Sequence, residues 1–159
     1  HGAETQLMHN GTNKFETTSD GVEVHGRITI DDLPAFWVTK GSGHQSNTYI
    51  SYPTVATNQG SHWSTSTNRF TAPYHGAYHF FYGAIKGNHT SVSRLYIRKN
   101  GSNFSPTVEL RMDDADSYGD NGSLSFVCVL NANDYIQIYT TDGSVHSGHY
   151  TYFGGHYLG

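Results

Sequence analysis

Apolar residues recur along this chain at every second position and almost nowhere at helical spacing. Between Gly76 and Tyr82, the residues Tyr78, Phe80 and Tyr82 fall on one side of an extended strand, with Ala77, His79 and Phe81 on the other. Strand-like runs are predicted at 35–40, 49–55, 62–63, 70–72, 76–86, 93–99, 108–112, 124–130, 135–140 and 150–158. Gly, Asn, Ser and Asp fill the connections, the residues that turns require. Asn100-Gly101 is expected to turn the chain out of the 93–99 strand. Ten short strands with such connections predict an all-β jelly-roll sandwich.

Residues 7–30 read differently. Asn10-Gly11 and Asp20-Gly21 are hairpin signals, and Val22, Val24, Ile28 and Ile30 alternate with other residues. Strands this short cannot bury enough surface alone, so an intertwined trimeric shaft is expected. Asp31-Asp32-Leu33-Pro34 marks a junction, because the proline biases Leu33 away from helix. The predicted organisation is a shaft over residues 1–33 and a jelly-roll head over 34–159. A chain opening at His1 in mid-pattern is expected to come from a longer parent.

Composition sharpens this picture. Only 14% of the 159 residues are charged, against about 25% in a typical soluble chain. The net charge of -4 gives no basic footprint for nucleic acid. No stretch is long and apolar enough for membrane insertion as a helix. Aromatics reach 14%, with twelve tyrosines, which argues against disorder. Aromatics on both faces of one strand suggest a core on one side and a subunit interface on the other. The candidates for interface or core are Trp37, Tyr78, Phe80, Tyr82, Tyr150, Tyr152 and Phe153, with Trp37 expected in the core. The alternative is that the tyrosines only complete the core of a small sandwich. The lone cysteine, Cys128, sits in an apolar run and is expected to be a buried, inert thiol, an interchain bridge or a nucleophile being the alternatives.

One set of spacings is specific. Tyr52, Asn58, Trp63, Phe70 and Gly76 follow one another with five, four, six and five residues between them, and Tyr78, Phe80 and Tyr82 come next. Residues 153–158, Phe-Gly-Gly-His-Tyr-Leu, and the turn around Asn133-Asp134 continue the pattern. The region from Ala35 to Gly159 resembles the complement 1q-like globular head, a branch of the tumour-necrosis-factor-like jelly rolls. Tyr52 stands where that family has phenylalanine, and Asn133 where it usually has glycine. The resemblance implies a ten-stranded jelly roll, a tight homotrimer, no enzymatic activity, and binding of proteins, carbohydrates or pathogen surfaces through exposed loops. No Gly-X-Y period is present, so the stalk is not collagen. Instead His9-Asn10-Gly11, the run 14–18 (Lys-Phe-Glu-Thr-Thr) and the run 21–26 (Gly-Val-Glu-Val-His-Gly) resemble repeats of marine bacteriophage tail fibres.

Candidate sites are sparser. Loop residues His44, Asn47, His62, Asn88, His89 and Tyr118 are candidate receptor contacts, because aromatic faces beside amides and hydroxyls suit sugars. Asp113, Asp114, Asp116 and Asp120 could hold calcium, or form a solvated loop. Eleven histidines are present. His75 and His79 lie four apart, and His146, His149 and His156 gather near the end. On a threefold axis such residues could hold zinc, nickel or iron; surface histidines are the alternative. No Gly-x-Ser-x-Gly or His-Glu-x-x-His motif occurs, and no catalytic residue or cofactor other than calcium is expected. An aspartate-pair glycosidase would need a longer body.

The expected protein is the distal part of a bacteriophage tail fibre, located extracellularly on the virion. It would meet other tail or virion proteins on its N-terminal side and a host surface glycan or protein, polysaccharide foremost, at its tip. The alternatives are a secreted animal complement 1q-like lectin or cytokine-like protein, and a purely architectural virion part. Glycosylation sequons at Asn10, Asn88, Asn100, Asn103 and Asn121 bear on that choice.

Overall fold

The computed structural model describes residues 5–87, 92–113 and 120–159. The chain divides into two compact units, His1–Asp31 and Asp32–Gly159. In the first, β1 (Gln6–His9), β2 (Thr12–Thr18) and β3 (Gly21–Val24) form a three-stranded antiparallel sheet. Asn10 and Gly11 turn β1 into β2 with φ of 50° and 73°, the left-handed pair that a two-residue hairpin needs. Ile28 and Ile30 lie beyond β3, so the alternation predicted through them does not become strand.

Among its described residues the second unit is all β apart from a single 3-10 turn at Gly148–Tyr150. Its strands are β4 (Ala35–Thr39), β5 (Thr48–Tyr49), β6 (Thr54–Gln59), β7 (Trp63–Ser64), β8 (Arg69–Thr71), β9 (Gly76–Ile85), β10 (Ser93–Lys99), β11 (Ser102–Asn103), β12 (Glu109–Met112), β13 (Asn121–Leu130), β14 (Tyr135–Thr140) and β15 (Tyr152–Tyr157). One sheet has the order β13-β9-β15-β4-β6. The other runs β11-β10-β14-β8-β7, with β12 on β10 and β5 on β14. This is the jelly-roll sandwich, built from antiparallel strands that bury one face of each sheet against the other.

The described head therefore has twelve strands, not the ten expected. The run 49–55 splits because the chain changes sheets there: Tyr49 pairs with Tyr139, whereas Thr54 pairs with Thr39. Pro53, which lacks a backbone donor, sits in the crossing. The short β11 follows Asn100-Gly101, whose φ of 52° and 83° close the hairpin onto β10. Tyr150 belongs to the 3-10 turn and not to the last strand.

The core explains the spacing from Tyr52 to Tyr82. Phe36 stacks on Phe70 at 4.8 Å and on Trp63 at 5.2 Å, and meets Phe153 edge-on at 5.0 Å. Such ring pairs add about 0.5–1.5 kcal/mol each beyond area burial. The Asn58 side chain accepts from the Trp63 N–H at 2.9 Å and donates to the Trp63 carbonyl at 3.1 Å, pinning the β6–β7 turn. Tyr78, Phe80, Tyr82 and Phe153 have no exposed surface. They form the core, so none of them is available to another copy. Gly154 and Gly155 permit this packing, because a Cβ would meet Phe81 at 2.3 Å on one face of β15 and Phe80 at 2.5 Å on the other.

Two turns lock together below β10. Asp134 accepts from the Asn131 N–H at 2.8 Å, from Asn100 Nδ2 at 2.7 Å and from Lys99 Nζ at 2.7 Å. Partial burial alone would raise its carboxyl, but these donors outweigh that and hold it below the usual aspartate range. Asn133 takes φ of 71° at the position where the related pattern has glycine, a backbone that asparagine tolerates better than most residues.

The Tyr52 hydroxyl finds no hydrogen-bond partner among the described residues, and neither does that of Tyr82. Burial, reinforced by Tyr82, raises the Tyr52 phenol well above its ordinary value. An unpaired buried hydroxyl costs about 1–3 kcal/mol. Tyr52→Phe is therefore expected to leave denaturant stability unchanged or raise it by up to ~2 kcal/mol. A loss above ~1 kcal/mol in the same unfolding curve would show that the hydroxyl is satisfied.

Candidate functional site

Strand pairing fixes what the five-stranded sheet presents on the face turned away from the core. One row runs Val127, His79, His156, Ala35, Gln59. The next runs Ser125, Phe81, Gly154, Trp37, Thr57, and a third Ser123, Gly83, Tyr152, Thr39, Thr54. These rows hold no Asp, Glu, Lys or Arg. Val127 is 60% exposed, Val129 58% and Trp37 48%, while Phe81 and Tyr152 lie half-buried against each other. Trp37 is thus not a core residue. Phe36 and Val38 point inward from β4, and strand alternation turns Trp37 outward.

At one end of this face a cavity of about 330 Å³ is lined by Ile85, Asn121, Ser123, His149, Tyr150 and Tyr152, among others. His149 lies against the Tyr150 ring at 4.2 Å, and His146 meets it edge-on at 5.6 Å. The cavity offers two phenol rings, an imidazole, an amide and a hydroxyl within one concave surface. Sequence reasoning did not find it, because β9, β13 and the 3-10 turn are distant in the chain and come together only through the pairing of both β13 and β15 with β9.

The structure scatters the predicted loop contacts. His44 and Asn47 lie between β4 and β5, where His44 meets His146 at 5.3 Å and the Asn47 carbonyl accepts from Tyr139 Oη at 3.3 Å. His62 lies in the turn before β7 and close to Gly60, its Nε2 buried. Asn88, His89 and Tyr118 lie outside the described residues, as do Asp114 and Asp116. Asp113 pairs with the Arg111 guanidinium, and the Asp120 carbonyl accepts from the Lys86 N–H at 2.7 Å. His75 bonds Asn131 through Nδ1 at 3.0 Å, whereas His79 lies opposite His156 on β15 with ring centroids 5.1 Å apart.

In the N-terminal unit, β2–β3 pairing places Glu16 opposite Glu23 with His25 beside them, a group that sequence reasoning missed. His25 Nε2 lies 2.8 Å from Glu16 Oε1, and Asn13 and Gln6 donate to Glu16 Oε2 at 2.5 Å and 3.2 Å. The bond to His25 leads in holding the Glu16 carboxyl below its usual range. Both oxygens of the Glu16 carboxylate are thus engaged by neighbouring side chains on the polar face of the small sheet.

Cys128 faces the core from β13 between the outward Val127 and Val129. Burial pushes its thiol up to about 11, which keeps it a protonated, poor nucleophile at neutral pH. Ellman's reagent is expected to leave Cys128 unmodified in the native protein at neutral pH and to titrate one thiol per chain in denaturant. Rapid native labelling would mean that the thiol is accessible and reactive.

Among the described residues, no helix is long and apolar enough to cross a membrane. Residues 35–158 match the family model of the C1q domain. Among solved structures, the globular domain of zebrafish complement 1qA protein is similar, with a TM-score of 0.57 and 22% sequence identity over 80% of this chain and 98% of that chain. At that identity the likeness speaks for the fold alone.

Proposed function

The chain belongs to the C1q-domain family, and from that membership together with the tail-fibre-like pattern of residues 7–30 we propose that it is a non-enzymatic, homotrimeric recognition head at the tip of a bacteriophage tail fibre. Domains of this family are typically trimeric binding domains and typically extracellular. The observation that carries the trimer is the charge-free outer face of the five-stranded sheet, on which Trp37, Val127 and Val129 stand exposed. An uncharged sheet face that leaves large apolar side chains exposed suits an interaction site. A threefold ring closes such a heterologous contact without leaving an open end.

The N-terminal sheet supports a fibre. Register puts Leu7, Phe15, Val22 and Val24 on one face and Gln6, Glu16, Glu23 and His25 on the other. Leu7 and Val22 are exposed, and none of the described residues of this sheet is fully buried. Further copies of the same chain would cover that face as a shaft, with other virion proteins on its N-terminal side.

The ligand we assign to the head is a host surface polysaccharide. At the end of the face, outside the rows that another copy would cover, Tyr150 and His149 offer ring faces to sugar C–H groups and Asn121 offers an amide to hydroxyls. Three identical weak sites gain avidity on a cell surface. The exposed turn at Asn100-Gly101-Ser102 favours one second reading, a secreted animal head glycosylated at that sequon.

Binding of fluorescently labelled protein to a panel of bacterial strains, marine cyanobacteria included, tests the proposal. Saturable binding to a narrow set of strains is expected, with competition by the polysaccharide of those strains. Tyr150→Ala should weaken it at least tenfold, ~1.4 kcal/mol. Binding to no strain, together with glycan at Asn100 in the native protein, would replace the fibre by the secreted head.

A further inference from the structure

His79 and His156 occupy the middle of the outward face, directly opposite one another on the paired strands β9 and β15. Their neighbours in the same row are Val127 and Ala35. The rows above contain no charged side chain, so neither imidazole has a carboxylate partner there. Neither ring makes a hydrogen bond to another described residue; their ring contacts are with each other and, for His79, with Phe81. Covering this face with another copy buries two imidazoles in apolar surroundings, and buried polar groups of that kind are satisfied in native proteins.

From this geometry we propose that His79 and His156 form a two-nitrogen chelate for a divalent transition metal, zinc by preference, on the assembly face. Two imidazoles on one tetrahedral zinc, each nitrogen ~2.0–2.1 Å from the ion, hold their ring centres about 5.2 Å apart. The His79 and His156 rings are 5.1 Å apart, with an angle of 67° between their planes. Two paired strands fix the backbone positions from which both rings project. The donor set suits zinc, nickel or copper, and not calcium or magnesium, which take oxygen ligands. Two protein nitrogens leave two positions of a tetrahedral ion for water or for groups of another copy. The inference rests on the trimer only for the burial of the pair; the chelate itself lies within one chain.

The loop pair His44 and His146 has a similar spacing, 5.3 Å. Those two lie on separate loops outside the strand ladders, and His146 Nδ1 is already bonded to the Ser147 carbonyl at 2.9 Å. They therefore serve as the internal comparison.

The test is calorimetric titration of zinc chloride into tag-free, EDTA-stripped protein at neutral pH, with sedimentation velocity in EDTA and in zinc. Saturable binding in the micromolar range or tighter is expected, at no more than one zinc per chain. His79→Gln and His156→Gln should each weaken it at least tenfold, and His44→Gln should change it less than twofold. Melting temperatures in EDTA matching that of the wild type establish that the variants fold. Absence of saturable binding, indifference to both His79→Gln and His156→Gln, or loss in His44→Gln alone would overturn the chelate. A protein that sediments as a single chain in EDTA yet binds zinc through His79 and His156 would sink the trimer and leave the chelate standing.

Discussion

Strand β9 carries aromatic side chains on both of its faces, and the chain supplies a partner sheet for only one of them. Inward, Tyr78, Phe80 and Tyr82 meet the second sheet and vanish from solvent. Outward, Phe81 and its neighbours Trp37, Tyr152, Val127 and Val129 make a surface without formal charge. A sheet that carries large apolar side chains on both faces resembles the buried sheets of layered folds, which are covered on both sides. The remaining features follow from this requirement. Gly154 and Gly155 thin the backbone of β15 so that Phe81 and Phe80 can lie across it from opposite sides. Cys128, between two exposed valines, turns its thiol into the core.

The same requirement connects the head to the N-terminal unit. That small sheet also separates an apolar face from a polar one, and neither of its hairpins buries a core of its own. Its polar face is tied together by Glu16, which gathers His25, Asn13 and Gln6 around one carboxylate. In each unit, taken by itself, large apolar side chains stand exposed on one sheet face among the described residues.

Much of the head was legible in the sequence, because the jelly roll writes itself in short alternating runs. The interval from Tyr52 through Tyr82 marks core positions whose packing shows why the spacing holds: Asn58 clamps Trp63, and Phe70 receives Phe36. What could not be read was facing. Trp37 reads as a core residue until pairing with β15 and β6 shows that Phe36 and Val38 take the inward positions. The hydroxyl of Tyr52 also gave no sign that it would be left unpaired. Histidines four apart, His75 and His79, suggested a pair, but a strand sends them to different partners. The cavity beside Tyr150 and the His79–His156 couple are products of long-range register, which no local pattern encodes.

The central claim is that the outward face of the five-stranded sheet is covered by copies of the same chain. Sedimentation equilibrium of the whole chain at micromolar concentration addresses it most directly, run beside Val127→Asp, which places a carboxylate on the β13 side of that face without entering the core. A particle of three chains is expected for the wild type, and a folded single chain for the variant. A wild-type protein that sediments as one chain, or a variant that remains trimeric, would contradict it.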